Sequence, residues 1–452
     1  MTKFYFLVVY LLFSGVNHSI AGVSYQKQVQ PILQRTCQGC HNPKNPAGDL
    51  SLTSYTSFEK GGTTGPLFVS GSPDHSIIFD FIVGDPPEMS INADPLTEDG
   101  VSLIRQWILE GAIDDTIVKS IQALMEVPNY QKPPVISALA FSPDGQKLEV
   151  SGYGEVLVHQ ADGTGLIARL IGKSDRIESI AYTPDGKILV VSGGIPAVSG
   201  ELQVWNTDTY QLTQSTQNTN DTLYGVSISS DGQLIAYGGA DNTARLLQIS
   251  DLSEKLKFDN HSNWVLGTVF SVDGTHLVTT GRDRALKLIE VESGSFIDDI
   301  NASNKGYGEI YSLARHPNKD QILAVGEDGI PRLYQIFRTI RRDVGNTDFN
   351  LIRAFDRQPA VVNVVAFSPN GNRFATGNDN GEVYIYETET GSRLQVINAD
   401  STAVFALSFN PEKKQISAGG FDGWLRTFDV KTGKLLQEFI PVTMNQKAKS
   451  NF

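Results

Sequence analysis

The sequence predicts a multidomain protein, a small all-α domain followed by an all-β seven-bladed propeller. Three observations lead there. At 452 residues with 40% apolar side chains, the chain is too long for one ordinary domain and can bury at least two cores. From residue 136 onward a unit of strand, tight turn and strand recurs seven times, with turns at Asp144, Asp185, Asp231, Asp273, Asn318, Asn370 and Glu412. Helical patterns are local and precede that region.

The chain opens with the features of an export signal. Met1-Thr2-Lys3 leads into a largely apolar run from Phe4 to Val16, and Ser19-Ile20-Ala21 has the small-x-small form of a cleavage site before Gly22. Thirteen residues are short for a bilayer span, and no other stretch is long and apolar enough. Residues 1–21 are therefore expected to be removed, leaving a periplasmic or secreted chain with no membrane span. The formal charge of −13 becomes −14 when Lys3 is lost, which repels nucleic acid and anionic membranes and argues against both as partners. Residues 22–120 carry twelve Asp and Glu against six Lys and Arg, so a partner docking on this part should be basic.

The two cysteines of the chain both lie in Cys37-Gln38-Gly39-Cys40-His41. Two thiols one helical turn apart suit thioether bonds to the vinyl groups of a haem, and the adjacent His41 imidazole suits the iron. The motif predicts one covalent haem c. A redox dithiol would want a βαβ pattern around it, and a zinc site a second Cys or His pair nearby; neither is present in the sequence. Ahead of the motif, Val29, Ile32 and Leu33 share one helical face, expected to pack on the haem, with Pro31 tolerable only near the helix start. Further on, Thr97 caps a helix whose first turn holds Glu98 and Asp99. Val101, Ile104 and Ile108 form its stripe, Trp107 flanks it as a residue that could pack on the haem, and Gly111 stops it. The second axial donor must come from the loops between these helices, where Met89 and His75 have suitable chemistry. Met89 follows Pro86-Pro87, which stiffen its loop, and is the expected ligand; His75, in the turn after Ser72-Pro73-Asp74, and an open sixth position are the alternatives.

Gln30-Pro31-Ile32-Leu33 stands before the motif and Gly48-Asp49-Leu50-Ser51-Leu52 after it, followed by Gly61-Gly62, Gly65-Pro66, Gly71-Ser72-Pro73 and Arg105-Gln106-Trp107-Ile108-Leu109-Glu110-Gly111-Ala112. Residues 29–112 thereby resemble the Planctomycete-type cytochrome c domain. The resemblance implies haem c held by His41 on one side and a loop methionine on the other. In that family the methionine directly precedes a proline pair, whereas here the order is Pro86-Pro87-Glu88-Met89.

The turns of the recurring unit are 41, 46, 42, 45, 52 and 42 residues apart, a period that means a propeller. In the sixth copy, residues 361–367, 373–376 and 382–386 read as strands, with Val383 and Ile385 facing opposite to Tyr384 and Tyr386. Asp241, Asp283, Asp328, Asp379 and Asp422 recur between second and third strands, and Trp205 ends a third strand; on these residues, residues 136–442 resemble the WD-repeat family. Each copy is expected to hold its own four strands, and ring closure through residues 122–127 is one expectation. The turn aspartates are expected to accept backbone hydrogen bonds rather than do chemistry. His159, His261, His276 and His316, at non-equivalent places, read as scattered surface residues and not as a metal set. Arg338, Arg341 and Arg342 before Asp343 form a basic stretch that could dock an acidic partner, or simply be solvated. Residues 113–134, with Asp114-Asp115, Pro128 and Pro133-Pro134, have a linker composition. The expected organisation is signal 1–21, cytochrome domain 22–118, linker 119–134, propeller 135–442 and tail 443–452.

Haem c in an exported, His-ligated domain implies single-electron transfer to an unidentified redox partner protein, with the propeller as an interaction platform for other proteins. No nucleophile, acid–base pair or second cofactor motif marks the chain as an enzyme. Two other readings are a propeller that is itself an oxidoreductase feeding the haem, and a haem-based sensor with an open sixth position.

Overall fold

A computed structural model describes residues 23–42, 45–90, 95–114, 127–302, 306–339, 348, 350–399 and 403–444. The export signal, residues 119–126 of the expected linker, Arg341, Arg342, Asp343 and residues 445–452 of the tail lie outside the described residues. The chain divides into two compact units, Met1–Ser120 and Ile121–Phe452.

In the first unit a π-helical turn, Tyr25–Val29, runs directly into helix α1, Gln30–Thr36. Helices α2, Tyr55–Lys60, α3, Ile78–Ile82, and α4, Glu98–Leu109, follow. Pro31 sits in the first turn of α1, directly after the π-helical turn in which the Gln30 amide bonds back to the Tyr25 carbonyl, and its ring removes the next donor there. The Thr97 hydroxyl accepts from the Gly100 amide at 3.2 Å and opens α4, whose Ile104, Trp107 and Ile108 are buried. The expectation of an all-α domain needs correcting: a two-residue hairpin pairs His41–Asn42 with Asn45–Pro46, and most residues between helices form turns. Gly61, Gly62, Gly65, Pro66, Gly71, Pro73, Gly84, Pro86 and Pro87 punctuate that stretch and keep α2 and α3 to six and five residues.

Among its described residues the second unit is all β, with five four-stranded antiparallel sheets and one seven-stranded sheet. Each four-stranded sheet uses four consecutive strands, such as Val362–Phe367, Arg373–Asn378, Glu382–Glu387 and Arg393–Asn398. In the seven-stranded sheet the 17-residue strand Leu166–Tyr182 pairs through its first part with Tyr153–Gln160 and, from Arg176 on, with Ile188–Ile195. Sheets stack face to face, so a strand must be apolar on both sides. Val383 and Ile385 enter one core with Val404 and Ile416 of the following sheet, whereas Tyr384 and Tyr386 enter another with Leu323 and Val325 of the preceding one.

The innermost strands pack on one another in chain order, and Val404–Phe409 returns to pack on Leu139–Phe141. Gly225 shows how close they come: at φ 47°, a Cβ there would lie 2.4 Å from the Leu266 carbonyl oxygen. The ring is sealed by the Ile136 amide on the Gly420 carbonyl at 3.0 Å and the Asn410 side-chain amide on the Gly145 carbonyl at 3.0 Å. Tyr130 adds a parallel bridge to Met444, and its hydroxyl donates to Glu155, which the Arg169 guanidinium also grips. Residues of the innermost strands, among them Ser137, Glu178, Tyr224, Thr268, Tyr311, Asn363 and Phe405, line a channel of about 510 Å³.

The turn aspartates do what their position suggests. Asp144 accepts from the Ser142 hydroxyl at 2.5 Å and the Gln146 amide at 3.0 Å, and the Ser142 bond holds its carboxyl below the usual range. Asp185, Asp231 and Asp273 repeat the arrangement with Thr183, Ser229 and Ser271. Between second and third strands, Asp241, Asp328 and Asp422 each pair with the arginine four residues on, Arg245, Arg332 and Arg426.

The expectation of surface histidines is overturned for three of the four: His159, His261 and His316 are each only 5% exposed. His261 Nδ1 donates to Asp283 at 2.9 Å, so its Nε2 accepts from the Thr279 hydroxyl at 2.7 Å. The burial of His261 was hidden because its pairing joins residues 22 apart, beyond any local pattern. Asp283→Ala leaves the buried Nδ1–H of His261 without an acceptor, and the urea unfolding midpoint is expected to fall by the equivalent of about 1–3 kcal/mol.

Candidate haem-binding site

The site grows out of the end of α1. The Cys40 and His41 amides both bond back to the Cys37 carbonyl, at 3.3 and 3.1 Å, so the motif continues the helix as one tight turn and presents Cys37, Cys40 and His41 to one wall of a cavity. Gln38 and Asn42 stay outside that wall and brace it, Gln38 Nε2 donating to the Leu52 carbonyl at 2.7 Å and Asn42 Nδ2 to the Gln38 carbonyl at 2.8 Å. Burial pushes the Cys37 thiol up, and the Thr36 hydroxyl 3.3 Å from its sulfur pulls it partway back.

The cavity measures about 440 Å³ and is walled by Leu33, Leu50, Leu52, Leu67, Ile78, Phe81 and Ile104, with Met89 also on its lining. Its volume falls within the roughly 300–1,000 Å³ of cofactor sites. A mostly apolar cleft with two thiols and an imidazole on one wall and a thioether on the lining fits the donor chemistry of a covalently bound haem.

A detail absent from the sequence reading fixes the imidazole. His41 Nδ1 lies 2.9 Å from the Ala47 carbonyl oxygen, which can only accept, so Nδ1 carries the proton and the Nε2 lone pair is left for a metal. The loop bearing Ala47 is itself held: the Thr63 amide donates to the Gly48 carbonyl at 2.9 Å, an approach that Gly62 permits because a Cβ there would come within 2.4 Å of the same oxygen. No single residue in this stretch advertises that role; the glycine pair Gly61-Gly62 was its only trace.

The Planctomycete cytochrome C family matches residues 37–90. The family described as WD domain, G-beta repeat matches residues 210–247, 253–290, 349–387 and 391–429. The chain joins a Planctomycete cytochrome c domain to WD repeats. A guanine nucleotide-binding protein subunit beta of Solanum tuberosum is 24% identical over 283 residues, 59% of this chain and 72% of that protein. One of Nicotiana tabacum is 25% identical over 309 residues, 64% of this chain and 79% of that protein.

Within the cytochrome c domain, the structure gathers four of the six residues that sequence reasoning singled out. Cys37, Cys40, His41 and Met89 line one cavity, Met89 from the turn Glu88–Ser90 and 49% exposed. His75 lies exposed on the turn Pro73–His75, away from the lining. Trp107 is fully buried, but among Tyr25, Tyr55, Phe58 and Phe68, with ring centroids 5.1–6.2 Å away, and does not line the cavity. Leu33 reaches the cavity, whereas Val29 packs into the core beside it. In the second unit, Trp205 is buried and donates to Gln203 at 2.9 Å, a structural bond. Arg338 pairs with Asp298 at 2.8 Å.

Proposed function

We propose that this chain is an exported mono-haem c-type cytochrome that takes up and passes on single electrons, with a seven-bladed propeller that docks other proteins. The observation that carries the reading is the shared cavity of Cys37, Cys40, His41 and Met89. When bound there, haem supplies an iron that cycles between two oxidation states by one electron. The residues of the chain do the rest. Cys37 and Cys40 would anchor the ring, His41 would offer Nε2 while Ala47 holds its other nitrogen, and Met89 would offer a thioether from the same lining. The leucines and isoleucines of the wall exclude water and so raise the cost of charge on the ring. The acidic balance of residues 22–120 favours a basic redox partner, in the periplasm or outside the cell.

The seven-blade count rests on reading Leu166–Tyr182 as the outer strand of one blade and the inner strand of the next, because it pairs on one side in its first part and on the other in its second. The propeller as platform rests on the WD repeats and on relatives that are, by name, subunits of larger proteins.

Expression together with a haem-attachment system is expected to yield a mature chain starting at Gly22 with one haem that survives denaturing electrophoresis, and a Cys37→Ser, Cys40→Ser variant without it. Failure of the parent chain to retain haem covalently overturns the reading. In the Met89→Ala variant the sulfur-to-iron charge-transfer band of the oxidised protein is expected to vanish and the reduced protein to gain carbon monoxide binding; an unchanged spectrum removes Met89 as the ligand.

A further inference from the structure

The seven copies end their innermost strand on Phe141, Tyr182, Ile228, Phe270, Arg315, Phe367 and Phe409, each one residue before the turn. Six are apolar or aromatic and one is an arginine, so the fold itself does not call for a cation at this position. Arg315, Tyr182, Ile228 and Phe270 line a cavity of about 360 Å³ in which Ser227 and Val269 are shared with the central channel.

The guanidinium is under-used. Its Nη1 donates to the His316 and Pro317 carbonyls at 2.8 and 3.1 Å, while Nε and Nη2 find no acceptor and no carboxylate forms an ion pair with it among the described residues. Burial pushes its pKa down, with Asp320 acting only from a distance. By contrast Arg169, Arg245, Arg332 and Arg426 are all paired with carboxylates. A partly buried arginine with an open edge facing a cavity is the arrangement that receives a planar anion in a forked pair of hydrogen bonds.

We propose that this cavity is a binding site for a small monocarboxylate with an apolar body, its carboxylate on Arg315 and its body against Pro143, Pro184, Ile228, Val269 and Phe270. The five offer the body apolar contact, while the hydroxyls of Thr183, Ser227, Ser229 and Ser271 on the same lining are already bonded to Asp185, Thr268, Asp231 and Asp273. The surrounding charge decides the head. Arg315 is the one cation among the described lining residues and offers one fork, and the carboxylates of Asp185, Asp231 and Asp273 stand behind Thr183, Ser229 and Ser271, so a single carboxylate is matched and a dianion disfavoured.

Calorimetric titration of the full, haem-loaded chain with benzoate tests this. The parent chain is expected to bind benzoate saturably, Arg315→Leu to bind it at least about tenfold more weakly, and Arg315→Lys, which keeps the charge but not the fork, to fall between them. Inorganic phosphate is expected to give no saturable heat. Arg315→Leu places at this position the kind of side chain the other copies carry, so its unfolding midpoint should not drop; if it does, Arg315→Lys carries the comparison. Absence of saturable benzoate binding by the parent chain, or equal affinity in the variants, overturns the site. Phosphate binding tighter than benzoate overturns the ligand class.

Discussion

Glu149→Gln is expected to stabilise the propeller at pH 8 and to erase a slope in its stability between about pH 4.5 and 8. Glu149 lies on the strand Lys147–Ser151, is 1% exposed and faces Val158 of the neighbouring strand. Burial pushes its carboxyl up to about 8 from an ordinary 4.5. The approach of the Tyr182 hydroxyl pulls it partway back as a hydrogen-bond donor, although the geometry falls short of a full hydrogen bond to either carboxyl oxygen. Since the folded-state value lies above the unfolded one, the folded chain holds a proton that the unfolded chain has released between the two. Stability from this group is therefore full below about pH 4.5, declines as pH rises to about 8, and is flat beyond, a total on the order of 4–5 kcal/mol. Gln keeps the shape and cannot ionise. The difference in urea midpoint between parent and variant, followed from pH 4.5 to 9, isolates the effect from every other titrating group; a constant difference would mean that Glu149 does not titrate in that window.

Trp107→Ala is expected to cost the cytochrome c domain about 3–5 kcal/mol, through the cavity it opens and the bond it removes. Trp107 stacks on Phe58 at 5.9 Å and an interplanar angle of 15°, meets Phe68 at 5.1 Å edge-on, and donates from Nε1 to the Ile113 carbonyl at 3.1 Å. A domain of this size is stable by about 5–15 kcal/mol, so the loss is a large share of the total. Proteolysis within residues 23–114 of the full chain should accelerate, and Trp107→Phe should recover part of the resistance. Because Trp107 does not line the cavity, the fraction of Trp107→Ala that keeps haem should show an unshifted absorption spectrum. A shifted spectrum with undiminished stability would instead place Trp107 against the haem.

The helix boundaries were legible because caps and stops are local: Thr97, Glu98 and Asp99 at one end of α4 and Gly111 just past the other act within one turn of the chain. The sixth copy's strands were legible for the same reason, since alternation has a period of two. The histidines were not. His261 meets Asp283 and Thr279 only after two strands have folded back on each other, and whether a histidine is solvated or buried depends on that fold rather than on its neighbours in sequence. The run Leu166–Tyr182 was not legible as one strand, because Gly172-Lys173-Ser174-Asp175 reads as a turn at the point where its pairing passes from Tyr153–Gln160 to Ile188–Ile195.

By itself, the sequence determined the Cys37-Gln38-Gly39-Cys40-His41 motif, since two thiols and an imidazole spaced as for haem attachment must lie within one turn of chain, and it determined the repeat, since each copy must end its own turn with its own side chain. Tertiary structure alone decided the rest. It put the Ala47 carbonyl on His41, Met89 on the same cavity as the two thiols, Trp107 in an aromatic core, and Arg315 on a cavity with no ion-paired carboxylate among the described residues. The division has a physical cause: covalent and turn geometry is set over a few bonds, whereas burial, hydrogen-bond partnership and charge balance are set by which distant segments share a volume.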